Sequence, residues 1–248
     1  MSLQEPQKIW FSFLSPPLTD NDQHFFDKNE LAWVRLLEAN WEQIKTEVGN
    51  YLLENKEIKP YFNPNLTANS TQWKSFAFVV WGWKKRINIK KCPNTYKLLQ
   101  QVEGLVSASI SILEPETRIL PHVGDTNAIY RCHLGLVIPQ GLPVCGIEVG
   151  GVQRSWEEGK ILVFDDAQRH RAWNDSKETR VVMIIDVMRQ AYAHRKYSVC
   201  ATILSKLSMQ GMLNRFPFLK KLPKRTVLNN VLKFMAWMIN PILRLRGA

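Results

Sequence analysis

Residues 107–138 read SASISILEPETRILPHVGDTNAIYRCHLGLVI, and the first six of them alternate between serine and an apolar side chain. A period of two is typical of a β-strand with one buried face. Further short strands are predicted at 129–138, 145–149, 160–164 and 180–188, with turn signals such as Pro139-Gln140-Gly141 between them. Closely spaced strands separated by turns predict a sandwich, a barrel or a jelly roll.

Helical periodicity flanks this β-rich centre. Apolar side chains recur at helical spacing in residues 29–55 and 94–102, and again in a tail helix that is predicted to end near Pro241. Residues 195–248 contain 11 Lys and Arg and no Asp or Glu, so they carry the whole net charge of +11. We therefore expect one domain over 1–194, with a jelly-roll core at about 105–190, and a basic amphipathic tail over 195–248.

The composition narrows the class of protein. Of the 248 residues, 45% are apolar and 22% are charged, which is typical of a folded globular chain. The sequence has no run of 18 apolar residues and no visible secretory signal, so neither a transmembrane helix nor export is predicted. The four cysteines are scattered without metal-binding spacing, and we expect a cytoplasmic, reducing location.

Three of the five histidines, His122, His133 and His170, lie in the β-rich centre. Two neutral imidazoles from separate strands can bind non-haem Fe(II) and leave positions open for a bidentate co-substrate. Arg180 is suited to the far carboxylate of 2-oxoglutarate, and Arg131 would share a strand face with His133. Taken singly, each histidine is more often a surface or core residue, and Arg180 more often a surface ion-pair partner. Spacing alone therefore does not identify iron.

Several motifs occur together in a fixed order. They are Pro121-His122-x-Gly124-x-Thr126-Asn127, Arg131-x-His133-Leu134-Gly135-Leu136-Val137-Ile138-Pro139, Trp156-Glu157-Glu158-Gly159-Lys160, and Phe164-Asp165-Asp166 followed by His170 and Arg180. With these motifs, residues 73–189 resemble the aspartyl/asparaginyl β-hydroxylase family of Fe(II)/2-oxoglutarate dioxygenases, whose branches include bacterial lipid A hydroxylases. The resemblance covers about half of the chain well and the N-terminal part weakly.

The resemblance implies a fold, a chemistry and a set of site residues. The implied fold is a double-stranded β-helix, which is a cupin-like jelly roll. The implied chemistry uses Fe(II), 2-oxoglutarate and O2 to hydroxylate an unactivated C–H bond. The implied residues are the iron ligands His122 and His170, the co-substrate-binding residues Ser111, His133, Arg131 and Arg180, of which Arg180 also serves catalysis, and Trp73 and Arg131 at the substrate pocket.

Two positions depart from common patterns. Most oxygenases of this chemistry carry a carboxylate two residues after the first histidine, but Gly124 stands there, which fits a sub-family that manages with two histidines. Asp125 lies one residue too far and is expected to cap a turn. Ile129 replaces a second arginine of the peptide-hydroxylating members, which puts recognition of an acidic peptide in doubt.

The sequence allows more than one class of substrate. The basic tail slightly favours a lipid acyl chain, reached by binding of residues 226–248 to an anionic membrane, with the protein peripheral on its inner face. The tail could equally pack on the barrel with a solvated basic face. The alternative substrate is Asp or Asn, β-hydroxylated in a peptide, protein or small amino-acid derivative. Outside enzymes, a cupin-like binding module remains open, and nucleic-acid binding is disfavoured because no recognised motif accompanies the charge.

Overall fold

The computed structural model describes residues 8–18, 23–55, 57–61, 63–69, 71–216 and 225–246. Within these ranges the strands are β1 (Phe25–Phe26), β2 (Trp73–Val80), β3 (Trp83–Lys84), β4 (Leu105–Leu113), β5 (Thr117–His122), β6 (Ile129–Val137), β7 (Cys145–Val149), β8 (Val152–Arg154), β9 (Ile161–Phe164), β10 (His170–Asn174) and β11 (Arg180–Met188). The α-helices are α1 (Val34–Ala39), α2 (Trp41–Glu54), α3 (Arg86–Lys91), α4 (Pro93–Leu99), α5 (Lys196–Arg215) and α6 (Arg225–Leu245).

The strands form two antiparallel sheets. The larger sheet has the order β1-β9-β6-β11-β4-β2-β3, and the smaller has the order β5-β10-β7-β8. One core cluster contains Leu113 and Val182 of the larger sheet together with Ile147 and Val149 of the smaller, so the sheets pack face to face. This architecture confirms the predicted mainly β jelly roll with flanking helices.

The larger sheet is covered on both faces. On β4, Ala108, Ile110 and Ile112 pack into a buried cluster with Leu37 of α1 and Ile44 of α2. The alternate residues of β4, the serines at 107, 109 and 111, line a cavity on the opposite face. The alternation predicted from the sequence thus separates a helix-packed face from a cavity face.

Two predicted helices have different bounds in the structure. The helix predicted over 29–55 is broken at Asn40, whose side-chain amide donates to the carbonyl of Leu36 at 2.8 Å. Asparagine competes for backbone hydrogen bonds in this way, and a helix ends easily there. The helix predicted over 94–102 is α4, which ends at Leu99.

The barrel extends beyond the predicted core at 105–190. Strand β2 begins at Trp73 and pairs with β4, so it belongs to the larger sheet. The strands β2, β5 and β10 were not predicted, nor were the short strands β1, β3 and β8. In β5, exposed Leu120 and Pro121 near the end of the strand obscure the alternation.

The tail contains two helices where one was predicted. Helix α5 packs Val199, Ala201 and Ile203 into a buried cluster that also contains Trp81 and Val106 of the barrel side. Helix α6 continues past Pro241, and the prediction that it ends there is wrong. Full burial of Leu243 beyond the proline offsets the lost backbone hydrogen bond. The division of the chain at residue 195 stays a prediction.

No helix in the described part of the chain has the length and apolarity that spanning a bilayer requires.

Candidate active site

A cavity of about 430 Å³ lies between the two sheets. Strands of both sheets and helix α5 contribute to its wall. The structure brings every site residue implied by the sequence to this one cavity: Trp73, Ser111, His122, Arg131, His133, His170 and Arg180.

The two histidines meet across neighbouring strands. His122 ends β5 and His170 begins β10, the two residues are register partners, and their ring centroids are 4.2 Å apart. The Nδ1 of His122 lies 2.8 Å from the carbonyl oxygen of Leu120, and that of His170 lies 2.8 Å from the carbonyl oxygen of Gln168. Since a carbonyl only accepts, each Nδ1 carries the hydrogen, and each Nε2 keeps a lone pair.

Burial sets the protonation of this pair. Removal from water lowers the pKa of His122 and lowers the pKa of His170 well below its usual value. The charge of Arg131 lowers the pKa of each histidine further. Both imidazoles are therefore neutral near pH 7, as ligation of a metal ion requires.

Beyond the histidine pair lies a buried cation. Arg180 is 1% exposed, and within the described residues its Nε has no hydrogen-bond partner and its guanidinium forms no ion pair. The guanidinium lies over the ring of Trp156, 4.8 Å from its centroid. Burial lowers the pKa of Arg180 to about 10, so the side chain stays charged at neutral pH. A buried, unpaired charge is costly, and an anionic ligand would relieve that cost.

A second unpartnered donor accompanies Arg180. Trp156 donates its Nε1–H to Nδ1 of His133 at 3.2 Å, so the hydrogen of the neutral His133 ring lies on Nε2. That Nε2 is buried and has no hydrogen-bond partner among the described residues. Burial, with the charges of Arg131 and Arg180, lowers the pKa of His133 well below its usual value. Together, Arg180 and His133 offer donors suited to a carboxylate.

Trp73 and Ser111 hold each other at the cavity wall. The Trp73 indole N–H donates to the Ser111 hydroxyl at 3.0 Å, and its ring stacks on Tyr61 with centroids 3.7 Å apart. Ser111 is buried, and the hydrogen bond from Trp73 leaves the serine hydroxyl able to donate in turn.

Arg131 has a different environment from Arg180. Its Nε and one terminal nitrogen donate to the two carboxylate oxygens of Asp186 at 2.7 and 2.9 Å, and its other terminal nitrogen pairs with Asp166. Asp166 also lies 3.5 Å from Nε2 of His170. Burial raises the pKa of Asp166, whereas the charge of Arg131 acts in the opposite direction. Two carboxylates thus compensate the charge of Arg131.

Gly124 leaves no room for a side chain. A Cβ there would lie 1.7 Å from Oδ2 of Asp166, and the Gly124 N–H donates to the carbonyl oxygen of Asp166 at 2.7 Å. A carboxylate two residues after His122 is therefore excluded by packing as well as by sequence. Among the described residues, no group of three or more His, Cys, Asp and Glu is arranged to hold a metal ion. The histidine pair fits an ion that takes two protein ligands and its remaining ligands from co-substrate and water.

Sequence reasoning missed some contacts around the site. Asp125, expected to cap a turn, instead accepts from Lys206 of α5 at 2.7 Å. Asp186 was not singled out, although it is the one charged residue inside the apolar run of β11, which is a usable signal. Phe164 stands between His133 and His170, with ring centroids 4.9 and 5.8 Å from theirs.

The chain is similar to several known proteins. The profile of the family "Aspartyl/Asparaginyl beta-hydroxylase" matches residues 38–190, which is more than half of the chain. A Rhizobium tropici protein named "Ornithine lipid ester-linked acyl 2-hydroxylase" is 36% identical over 169 residues, which are 66% of this chain and 60% of that protein. The human "Aspartyl/asparaginyl beta-hydroxylase" is 36% identical over 162 residues, which are 62% of this chain and 21% of that protein.

A crystal structure of a Pseudomonas putida prolyl-4-hydroxylase aligns with a TM-score of 0.38 and 14% identity, covering 68% of this chain and 91% of that one. The chain spans 60% or less of the length of the two curated relatives. From the extent of the profile match, this chain belongs to the aspartyl/asparaginyl β-hydroxylase family.

Proposed function

We propose that this protein is an Fe(II)- and 2-oxoglutarate-dependent dioxygenase that hydroxylates an unactivated C–H bond in a lipid acyl chain. One observation carries the proposal: two neutral imidazoles whose Nε2 atoms keep their lone pairs share a cavity with a buried guanidinium that has no ion-pair partner among the described residues. The first feature suits a metal ion, and the second suits a dicarboxylic co-substrate.

His122 and His170 would hold the iron. When bound, iron and 2-oxoglutarate supply the oxidising chemistry, which no side chain of this protein can provide. Arg180 would bind the far carboxylate of 2-oxoglutarate, and Nε2–H of His133 and the hydroxyl of Ser111 would donate to the same molecule. Each of these donors is buried, so the co-substrate would accept hydrogen bonds from groups that are already oriented.

Neighbouring residues keep these groups in place. The carbonyls of Leu120 and Gln168 fix the tautomers and ring orientations of the two histidines. The Trp156 indole fixes the tautomer of His133 and packs under the guanidinium of Arg180. The rings of Trp156 and Phe164 line the cavity and add apolar surface beside these groups.

The cavity favours an acyl substrate over an acidic one. Among the described lining residues the cations are Arg131 and Arg180, and Arg131 already pairs with Asp166 and Asp186. Ile129, which the family resemblance aligns with an arginine of peptide-hydroxylating members, is fully buried in the cluster formed with α5 and does not line the cavity. With Arg180 assigned to 2-oxoglutarate, no uncompensated charge remains in that wall for an aspartate side chain.

The cavity wall has an apolar portion beside its polar groups. Ala77, Val79, Val80, Trp81 and Leu207 of α5 line the cavity, together with polar residues such as Ser107, Gln210 and Asn214. Such a wall suits methylene groups, whose transfer from water is favourable. The Rhizobium tropici relative, named for an acyl 2-hydroxylase, also favours this reading.

β-Hydroxylation of Asp or Asn in a peptide or a small amino-acid derivative is the second candidate. It is favoured by the human relative, whose identity of 36% equals that of the lipid-named relative.

One experiment tests both candidates. The full chain with Fe(II), 2-oxoglutarate and O2 is offered a bacterial lipid extract and, separately, Asp- and Asn-containing peptides. Succinate release and the gain of one oxygen by mass spectrometry are measured. We expect oxygen gain in a lipid acyl chain, its loss in His170→Ala, and its retention in the matched control His194→Ala, since His194 is exposed outside the cavity. Oxygen gain in a peptide alone would favour the second candidate, and succinate from neither would refute the proposal.

A further inference from the structure

We propose that the outward face of helix α6, with the neighbouring basic segment at residues 83–86, docks on an anionic membrane surface and sets the cavity beside the lipid. Exposed apolar residues and positive charge support the docking surface independently of the proposed function. The delivery of an acyl chain from that membrane into the cavity rests on the proposed function.

Helix α6 has two apolar faces, one of which packs against the rest of the protein. Leu232 and Leu243 are buried, and Leu243, Ala236 and Ile239 join the cluster formed with α5 and the barrel side. The opposite face exposes Phe234 at 59% and Trp237 at 73%. Among the described side chains, the exposed apolar residues on this face are Val231, Phe234, Trp237, Met238, Ile242 and Leu245.

These exposed residues form a stripe. On a helix of 3.6 residues per turn, the spacings within this set place its members on one side, along about 20 Å of the axis. The rings of Phe234 and Trp237 stack on each other, with their centroids 6.0 Å apart. Single exposed apolar residues need no explanation, but a continuous stripe of this length marks an interaction surface.

Charge identifies the partner. Lys233 and Arg244 are exposed on α6, and residues 195–248 contain no acidic residue. The Arg246 guanidinium lies 4.4 Å from the centroid of the Trp83 ring and joins the end of α6 to Lys84, which is exposed with its neighbours Lys85 and Arg86. Large apolar side chains flanked by cations suit the boundary between anionic headgroups and acyl chains.

A second copy of the chain fits this surface less well. A twofold contact through α6 would bring exposed Lys233, Arg244 and Arg246 of both copies close together, and residues 195–248 contain no acid to compensate them. Like charges placed across an interface oppose association. An anionic lipid surface satisfies both the stripe and the charge.

The docking surface adjoins the cavity. Helix α6 packs along α5, and α5 contributes Leu207, Gly211 and Asn214 to the cavity wall. On the same part of α5, Met212 and Phe216 are exposed. An acyl chain could therefore pass from a docked membrane along α5 into the cavity without crossing bulk water.

The test is co-sedimentation of the full chain with vesicles of phosphatidylcholine alone or mixed with phosphatidylglycerol. We expect binding to the mixed vesicles that weakens with salt, and at least a tenfold loss of binding in the double variant Phe234→Gln/Trp237→Gln. The matched control is Leu53→Gln on α2, since Leu53 is 77% exposed and lies outside the proposed surface. Equal thermal unfolding of all forms shows that the variants fold.

Three outcomes would overturn the docking proposal: unchanged binding by the double variant, equal loss in the control, or a dimer without vesicles that the double variant abolishes. Activity separates this proposal from the proposed function. If docking delivers substrate, the double variant loses turnover of lipid in vesicles and keeps turnover of the same lipid dispersed in detergent. Vesicle binding without lipid turnover in vesicles or in detergent would refute the proposed function and leave docking intact. Lipid turnover by the wild type, together with vesicle binding that the double variant does not lose, would refute docking and leave the proposed function intact.

Discussion

Replacing Arg180 with methionine is expected to make the free protein more stable while it abolishes binding of 2-oxoglutarate. Arg180 is 1% exposed and its guanidinium forms no ion pair with any residue that the structure describes. Methionine keeps an unbranched side chain of similar shape and removes the charge. The free protein then no longer carries an uncompensated buried cation.

The size of the effect follows from the pKa of this guanidinium. Burial lowers the pKa from 12.5 to about 10, which at 1.36 kcal/mol per pKa unit corresponds to a penalty of about 3 kcal/mol. Arg180 is protonated at neutral pH in both the folded and the unfolded chain, so this penalty applies fully below pH 10 and declines as the pH rises through the folded-state pKa. Loss of the cation–π contact between the guanidinium and the Trp156 ring costs about 1 kcal/mol of stability, which offsets part of this gain. The net gain is about 2 kcal/mol, or about 4–8 °C in Tm for a chain of this size.

Thermal unfolding of metal-free protein measures the gain, and a second series with Mn(II) and 2-oxoglutarate measures binding. At 2-oxoglutarate concentrations of about 100 times the Kd, we expect the wild type to gain about 2.7 kcal/mol and Arg180→Met to gain nothing. Arg131→Met is the matched control and should change stability in the opposite direction. It leaves buried Asp166 and Asp186 uncompensated, at a cost of about 3–5 kcal/mol. A destabilised Arg180→Met, or an equal response of this variant to 2-oxoglutarate, would refute the reasoning.

Four further substitutions test the rest of the site. His122→Ala and His170→Ala should each lose Mn(II) binding by calorimetry with an unchanged circular dichroism spectrum, and retained binding in both would contradict the ligand assignment. Gly124→Ala should cost about 1–3 kcal/mol or more, because its Cβ would lie 1.7 Å from a buried carboxylate oxygen, and an unchanged urea midpoint would contradict this packing. Trp156→Phe keeps an aromatic ring but removes the N–H that fixes the tautomer of His133. Because that hydrogen bond contributes about 1 kcal/mol, the KM for 2-oxoglutarate should rise several-fold while Tm changes little. An unaltered KM would show that the indole N–H does not position this histidine.

The sequence predicted those strands whose residues either alternate between polar and apolar or form an apolar run. In β4 the serines alternate with apolar residues, and the strand lies within two residues of its predicted start. The strand predicted at 180–188 is β11, whose nearly continuous apolar run is typical of a strand covered on both faces. The site residues implied by family resemblance all reach one cavity, although their roles stay predictions.

Elements whose residues satisfy no single periodicity were missed. Strand β10 reads HRAWN, in which Arg171 pairs with Glu148 on the surface while its neighbours are buried, so neither alternation nor an apolar run stands out. Helix α5 buries small residues such as Ala201 and Ser205, and its apolar residues are spread around the helix. Their burial is decided by the barrel side against which they pack, and no local pattern encodes that contact.

Arg131 and Arg180 show most clearly what local sequence leaves undetermined. Both are arginines at strand positions that face one cavity, and sequence reasoning assigned both to ligands. Arg131 lies opposite Asp186 in the pairing of β6 with β11 and also reaches Asp166, so two carboxylates distant in sequence remove its capacity to bind a third. Arg180 lies over an aromatic ring and lacks such a partner among the described residues. The same side chain therefore stabilises the fold at one position and, at the other, costs stability that only an anionic ligand can return. This difference in partners makes Arg180 the residue through which the proposed co-substrate is best tested.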